Sequence, residues 1–170
     1  KRRTSSSSAR TVSAPSPVPR PKPRPMKLRR AVVLLGIALL AWGFLIEPSL
    51  LITRRVEVRP TGWAAALDGL KIAVVGDIHA GSPFVKRAKL EAVARRIQAE
   101  NPDVVVLLGD YVINDVIGGR KMTPEESIGP LGAIKAPLGV YAVLGNHDWW
   151  TDGNRIRQAL TAQGIRVLEN

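Results

Sequence analysis

The sequence predicts an α/β fold built on a parallel sheet. Two observations carry this. Three short apolar runs, Ile72–Val75, Val104–Leu108 and Val140–Leu144, each end at a glycine and a polar cluster. Between them lie stretches with helical spacing of apolar residues. Short β-branched runs read as central strands of a parallel sheet, and strand–helix alternation is the signature of α/β architecture.

Residues 70–75 form the first expected core strand. Residues 86–100 read as an amphipathic helix, with Leu90, Val93, Ala94 and Ile97 on one face and Asn101-Pro102 as its stop. Residues 103–108 form the second strand. Thr123-Pro124-Glu125-Glu126 has the pattern of a capped helix start, and Pro130 interrupts that helix. Residues 139–144 form the third strand. Thr151 or Asp152 is placed to cap a helix running to Gln163, which Gly164 ends. Residues 165–168 begin a fourth strand. Residues 56–59 read as a further short strand before the core.

Upstream of the sheet the chain changes character. Residues 1–30 hold ten Lys/Arg and no acid, so the net charge of +11 belongs almost entirely to this leader. Its Ser5–Ser8 run and the prolines from Pro15 to Pro25 cannot build a core, and it reads as a disordered, Pro/Ser-rich segment. The body of the chain is near neutral and carries no recognition motif for DNA or RNA, which argues against a nucleic-acid partner. The absence of cysteine excludes a disulfide framework and a thiol nucleophile. No glycine-rich phosphate loop follows any strand, which sets aside nucleotide-binding domains.

Residues 31–46 are sixteen consecutive apolar residues. Such a helix measures about 24 Å, somewhat less than the ~30 Å hydrocarbon core. Lys27, Arg29 and Arg30 are placed to snorkel at one end, while Trp42 and Glu47 suit the other interface. No small-x-small cleavage site follows Ile46, so residues 31–52 read as an uncleaved transmembrane signal anchor. The basic excess before it, against Arg54, Arg55 and Arg59 after it, places the N-terminus in the cytoplasm and the domain outside. A start at Met26 would reduce that asymmetry. Arg29-Arg30 also permits a twin-arginine signal.

In open α/β sheets, ligands bind beyond the carboxyl ends of the strands. The clusters Gly76-Asp77-Ile78-His79, Gly109-Asp110 and Gly145-Asn146-His147-Asp148 therefore meet at one edge. Two-residue spacing lets Asp77 and His79 point to the same side. Imidazole, carboxylate and amide donors together suit Mn²⁺, Fe or Zn²⁺. Taken singly, each cluster also reads as a polar turn, with Asn146 left-handed and His147 solvent-exposed in the last of them.

These three clusters in this order resemble the motifs of the calcineurin-like metallophosphoesterases: Asp-x-His, Gly-Asp, then Gly-Asn-His-Asp/Glu. Thirty-three residues separate Asp77 from Asp110, and thirty-six separate Asp110 from Asn146. The resemblance covers residues 55–170, and the preceding anchor is similar to the membrane-associated bacterial phosphodiesterase branch. It implies the first half of an α/β/β/α sandwich at residues 53–170. It also implies hydrolysis of a phosphoester, most simply a phosphodiester, by hydroxide held between two divalent ions.

By the same resemblance, Asp77 and His79 hold the first metal, Asp110 bridges, Asn146 binds the second, and His147 stabilises the phosphoryl group or protonates the leaving oxygen. Asp148 either orients His147 or neighbouring backbone, or closes the turn. The Asp that some members pair with the catalytic histidine, three residues after the bridging one, is here Ile113; either Asn114 or Asp115 substitutes for it or the chain lacks that dyad. Members supply further histidines downstream, whereas His79 and His147 are the two present. The chain is thus expected to be an N-terminal fragment holding half of the site. The substrate implied by an anchored site is a lipid-linked or envelope phosphoester, with membrane lipid as a partner. A non-catalytic, membrane-tethered metal- or phosphate-binding remnant is the alternative.

Overall fold

The computed structural model describes residues 26–169. The expected disordered leader falls mostly on residues 1–25, outside the described residues. The chain divides into two compact units at Ile46/Glu47.

The first unit is dominated by one helix. It is α-helical over Met26–Ala41 (α1), widens to a π-helical turn over Trp42–Ile46 and tightens to a 3₁₀ turn over Glu47–Ser49. The apolar block alone is short for a bilayer. The helix instead recruits the basic flank and runs 24 residues from Met26 to Ser49, about 36 Å at the α-helical rise. None of its residues is buried against the protein. Helix length and apolar character support a single membrane-spanning topology.

The second unit is a four-stranded, all-parallel sheet in the order β1 (Ile72–Val75), β2 (Val104–Leu107), β3 (Val140–Ala142), β4 (Arg166–Val167). Ile72 pairs with Val104, Val105 with Val140 and Tyr141 with Arg166. Sequential order with right-handed crossovers puts every connecting helix on the same face. The burial pattern agrees. Val105, Leu107, Val140 and Ala142 point into the helical layer and are buried, whereas Ile72 and Val74 point the other way and are about half exposed. The chain thus holds one helical layer and one sheet layer of the expected sandwich. The opposite sheet face is uncovered among the described residues, although parallel sheets are ordinarily covered on both faces.

The helical layer consists of α2 (Arg87–Ala99), α3 (Pro124–Ile128) with its 3₁₀ continuation Gly129–Ala133, and α4 (Asn146–Ala162). Leu90, Ala94 and Ile97 form the inner stripe of α2. Ile128, Leu131, Ile134, Ile156 and Leu160 meet them in the core. Each large aliphatic side chain buried there contributes about 1.5–3 kcal/mol. The capped start expected at Thr123 forms, and it is reciprocal: Thr123 Oγ1 accepts the Glu126 N–H, and Glu126 Oε2 accepts the Thr123 N–H.

Two elements differ from expectation. Residues 56–59 form no strand; Val56 and Val58 are largely exposed, and the segment's side-chain bonds run within it, from Arg59 to Glu57. Its alternating pattern finds no neighbouring strand to complete. Helix α4 starts at Asn146, six residues ahead of the expected cap at Asp152. Asp152 nonetheless breaks the helix with extended backbone (φ −173°, ψ 83°), and its Oδ1 accepts the Arg155 N–H at 3.0 Å. It caps the second of two helical pieces, and the first piece carries the third polar cluster.

Candidate metal centre

Strands β1 and β2 deliver their polar clusters through a backbone break, whereas β3 delivers its own through the N-terminus of α4. Asp77 (φ 51°), His79 (φ 48°) and Asp110 (φ 55°) all sit in the left-handed region. For non-glycine residues this costs of order 1–3 kcal/mol each and persists only where surroundings enforce it. The enforcement is visible. His79 N–H donates to Asp110 O at 2.8 Å, Ala80 N–H to Tyr111 O at 2.9 Å and Ile113 N–H to Ala80 O at 3.1 Å. The two chain segments therefore resume parallel pairing beyond the strand ends, at the Ala80–Val112 bridge.

The glycines of the motifs are steric requirements. A Cβ on Gly109, which has φ 88°, would sit 2.8 Å from Gly145 Cα and closer still to Gly145 N. A Cβ on Gly145 would strike the Asp110 carboxylate, whose Cγ lies 2.7 Å away. The loops after β2 and β3 pass in backbone contact, and this brings Asp110 against the start of α4.

Asp148 fastens that contact. Its buried carboxylate accepts three backbone N–H groups, from Asp110 (2.7 Å), Tyr111 (2.8 Å) and Gly145 (2.9 Å). Burial pushes its carboxyl above the ordinary carboxylate range, against the three donors that favour the ionised form. Of the roles open from the sequence, the structure displays turn closure onto Gly145 and orientation of the Asp110 and Tyr111 backbone. Tyr111 adds a second tie: its hydroxyl donates toward the carbonyls of Leu107 (3.2 Å) and Val143 (3.0 Å) at the ends of the two strands. Burial, then the nearby Asp148 charge, raises the phenol pKa.

His79, Asp110 and His147 converge. One donor atom from each lies within 4.8 Å of the others. Asp110 Oδ1 accepts the His147 backbone N–H at 3.0 Å, which leaves Oδ2 directed to His79 Nε2 at 3.7 Å. His79 Nε2 is buried and has no hydrogen-bond partner among the described residues. Buried polar atoms are ordinarily satisfied. An orphaned imidazole nitrogen beside a carboxylate oxygen and a second imidazole is the donor set a divalent cation takes, so the residues present fit a metal ion. The His79 and His147 rings meet edge to face, with centroids 4.9 Å apart.

The placement of the expected residues is uneven. His79, Asp110 and His147 are brought together; His147, expected beside the phosphoryl group, stands within the metal-ligating cluster. Asp77 and Asn146 are exposed, and Asp77 is outside that cluster. Asn146 lies in the first turn of α4 and His147 is half-buried, so the polar-turn reading with Asn146 left-handed does not hold. Asn114 Nδ2 donates to Thr151 Oγ1 at 3.1 Å, tying the loop after β2 to α4. Sequence reasoning missed Tyr111 and Trp150. The Trp150 ring packs edge-on to His147, with centroids 4.8 Å apart, while remaining largely exposed. The adjacency of Trp149-Trp150 to the third cluster was the signal available.

The comparisons with known proteins agree with this geometry. The calcineurin-like phosphoesterase family profile matches residues 70–167. A "Transmembrane protein with metallophosphoesterase domain" of Danio rerio is 37% identical over 116 residues, 68% of this chain and 25% of the relative. "UDP-2,3-diacylglucosamine pyrophosphatase LpxG" of Chlamydia trachomatis is 36% identical over 110 residues, 65% of this chain and 32% of the relative. "Uncharacterized metallophosphoesterase YkuE" of Bacillus subtilis is 28% identical over 126 residues, 74% of this chain and 43% of the relative. The chain thus spans about a quarter to two-fifths of the length of these relatives. No solved structure gives a significant match. With the metal-ligating cluster at the sheet edge and the profile match over most of the second unit, the chain belongs to the calcineurin-like phosphoesterase family.

Proposed function

We propose that the protein is a membrane-anchored, metal-dependent phosphoester hydrolase acting on a phosphodiester through two divalent ions. The observation that carries this reading is the orphaned, buried His79 Nε2 facing the free Asp110 oxygen, with His147 closing the cluster. In the proposed arrangement Asp77 and His79 would hold one cation, Asn146 would help to hold a second, and Asp110 would serve both. Mn²⁺, Fe and Zn²⁺ all suit that donor set. Bound there, the ions supply Lewis-acid polarisation of the phosphoryl oxygens and a nucleophilic water of lowered pKa.

The chain's own residues do the rest. Asp110 offers one oxygen to the site while its other oxygen is held by the His147 N–H. His147, half-buried in the same cluster, would stabilise charge on the phosphoryl group or protonate the leaving oxygen. Asp148 acts at one remove, holding the Asp110 and Gly145 backbones in register. The anchor, the bacterial relatives and the relative named for a diacylated sugar nucleotide favour a lipid-linked substrate and the membrane-associated bacterial branch. The basic leader favours a single-pass topology with the domain outside the cytoplasm.

The test is hydrolysis of a chromogenic phosphodiester by the full gene product with added Mn²⁺. Asp110→Asn and His147→Ala are each expected to remove most of the turnover. Undiminished turnover in both variants would sink the assignment.

A further inference from the structure

The metal-bearing edge carries a second pattern that phosphoester chemistry does not use. All three segments that leave the carboxyl ends of β1, β2 and β3 expose large apolar side chains. The first exposes Phe84, the second Ile117 at 97% and the third Trp149 and Trp150 at 54% and 74%. In the first two segments the apolar residue is followed by a basic pair, Lys86-Arg87 after Phe84 and Arg120-Lys121 after Ile117. These pairs are exposed too.

The segments form one ledge. The Arg120 N–H donates to Gly81 O at 2.8 Å, and a Cβ on Gly118 would touch the Pro83 ring at 3.5 Å, so the loops bearing Ile117 and Phe84 are adjacent. The Asn114–Thr151 bond ties the Ile117 loop to the turn of α4 that bears the tryptophans. Through Trp150 the ledge reaches His147 itself.

Exposed apolar tips rimmed by charge mark interaction surfaces. Tryptophan, with an apolar body and a polar N–H, partitions to the level of lipid headgroups. Basic residues beside such tips are attracted to anionic lipid at about 1 kcal/mol each. The same chain carries a helix long enough to cross a membrane, and covalent tethering raises the effective concentration of a lipid surface at the domain. From this combination we infer that the ledge formed by Phe84, Ile117, Trp149 and Trp150 docks on an anionic lipid surface and sets the mouth of the metal centre at the headgroup level. The inference rests on the proposed function only for its consequence, that a lipid phosphoester enters the site directly. Docking itself needs neither metal nor hydrolysis.

The experiment uses the full chain with Trp42→Phe and Trp63→Phe, which leaves Trp149 and Trp150 as its two tryptophans. It is reconstituted in vesicles of phosphatidylcholine and phosphatidylglycerol, with and without brominated acyl chains. Bromination is expected to quench about half of the tryptophan emission, as for rings at the headgroup level. Adding Ile117→Glu is expected to restore most of it, and Ile117→Glu with Phe84→Glu to restore it fully. Ile117 is almost wholly exposed, so the first of these variants keeps the fold. Emission insensitive to bromination overturns the inference, as does quenching that survives both glutamates. Emission that follows the protein-to-lipid ratio rather than bromination assigns the ledge to a second copy of the chain and overturns the inference equally.

Discussion

Asp148 Oδ2 accepts the backbone N–H of Asp110 at 2.7 Å, so a buried carboxylate in the first turn of α4 sets the position of a half-buried carboxylate in the loop after β2. Asp148→Ala leaves three N–H donors without their acceptor. At about 1–3 kcal/mol for each unsatisfied buried group, the loss exceeds ~3 kcal/mol. Removing a group that orients a metal ligand also typically costs ~10–100-fold in metal affinity. A lower Tm together with weaker Mn²⁺ binding, measured on the same detergent-solubilised chain, is the expected result. Asp148→Asn is expected to lose less, because its one remaining carbonyl oxygen can still accept the Asp110 and Gly145 donors. Unchanged Mn²⁺ affinity in Asp148→Ala would show that Asp110 does not depend on this tie.

The legibility of this site in the sequence divides along a physical line. Strand runs, the capped helix start and glycine stops were readable because each depends on residues within a few positions. His79, Asp110 and His147 were readable because parallel strands deliver their carboxyl ends to one edge. The role of Asp148 was open because its three bonds reach across 37 and 38 residues as well as three, and local pattern carries no record of that. Residues 56–59 show the reverse case. Their alternation satisfied the local rule for a strand, but a strand also needs a neighbour, and pairing is not local.

Tyr111 predicts an alkaline weakness. Its phenol is buried and its pKa is raised, by burial first and then by the Asp148 charge. The unfolded chain therefore loses this proton before the folded one does. Stability from this group is whole below the ordinary tyrosine value near 10 and falls as pH rises through the raised value. Tyr111→Phe abandons the carbonyls of Leu107 and Val143 and is expected to cost about 1–2 kcal/mol at neutral pH. It also removes the ionisable group. The Tm gap between wild type and variant is expected to narrow above about pH 10; a gap that widens there would contradict the assignment of the alkaline loss to Tyr111.

Two glycine substitutions separate steric need from mere preference. Gly109→Ala forces an L side chain into φ 88° and against the backbone of Gly145. The strain alone costs of order 1–3 kcal/mol, and the clash adds to it by driving apart the loops that carry Asp110 and His147. The variant is expected to melt far below wild type and to lose Mn²⁺ binding. Gly129→Ala meets nothing within 4 Å at a helical φ of −45°. It is expected to be neutral or to stabilise by up to about 1 kcal/mol. Comparable melting temperatures for the two variants would refute the close-approach argument.

The metal centre itself predicts an order of losses. His79 Nε2 has no hydrogen-bond partner among the described residues, and Asp110 presents its second oxygen 3.7 Å away. His79→Ala and Asp110→Asn each remove a donor from the converged cluster, and each is expected to abolish measurable Mn²⁺ binding by electron paramagnetic resonance. Asp77 is exposed and stands outside that cluster. Its substitution to Asn should therefore weaken binding by less than either of the others, because the ion retains both His79 and Asp110. His79→Ala also removes an unsatisfied buried nitrogen, so without metal it is expected to lose little stability, while added Mn²⁺ raises the Tm of wild type alone. Ligand-linked stabilisation amounts to about 2.7 kcal/mol at a hundredfold excess over Kd, which a thermal melt resolves. A Tm shift of equal size in His79→Ala would place the cation elsewhere.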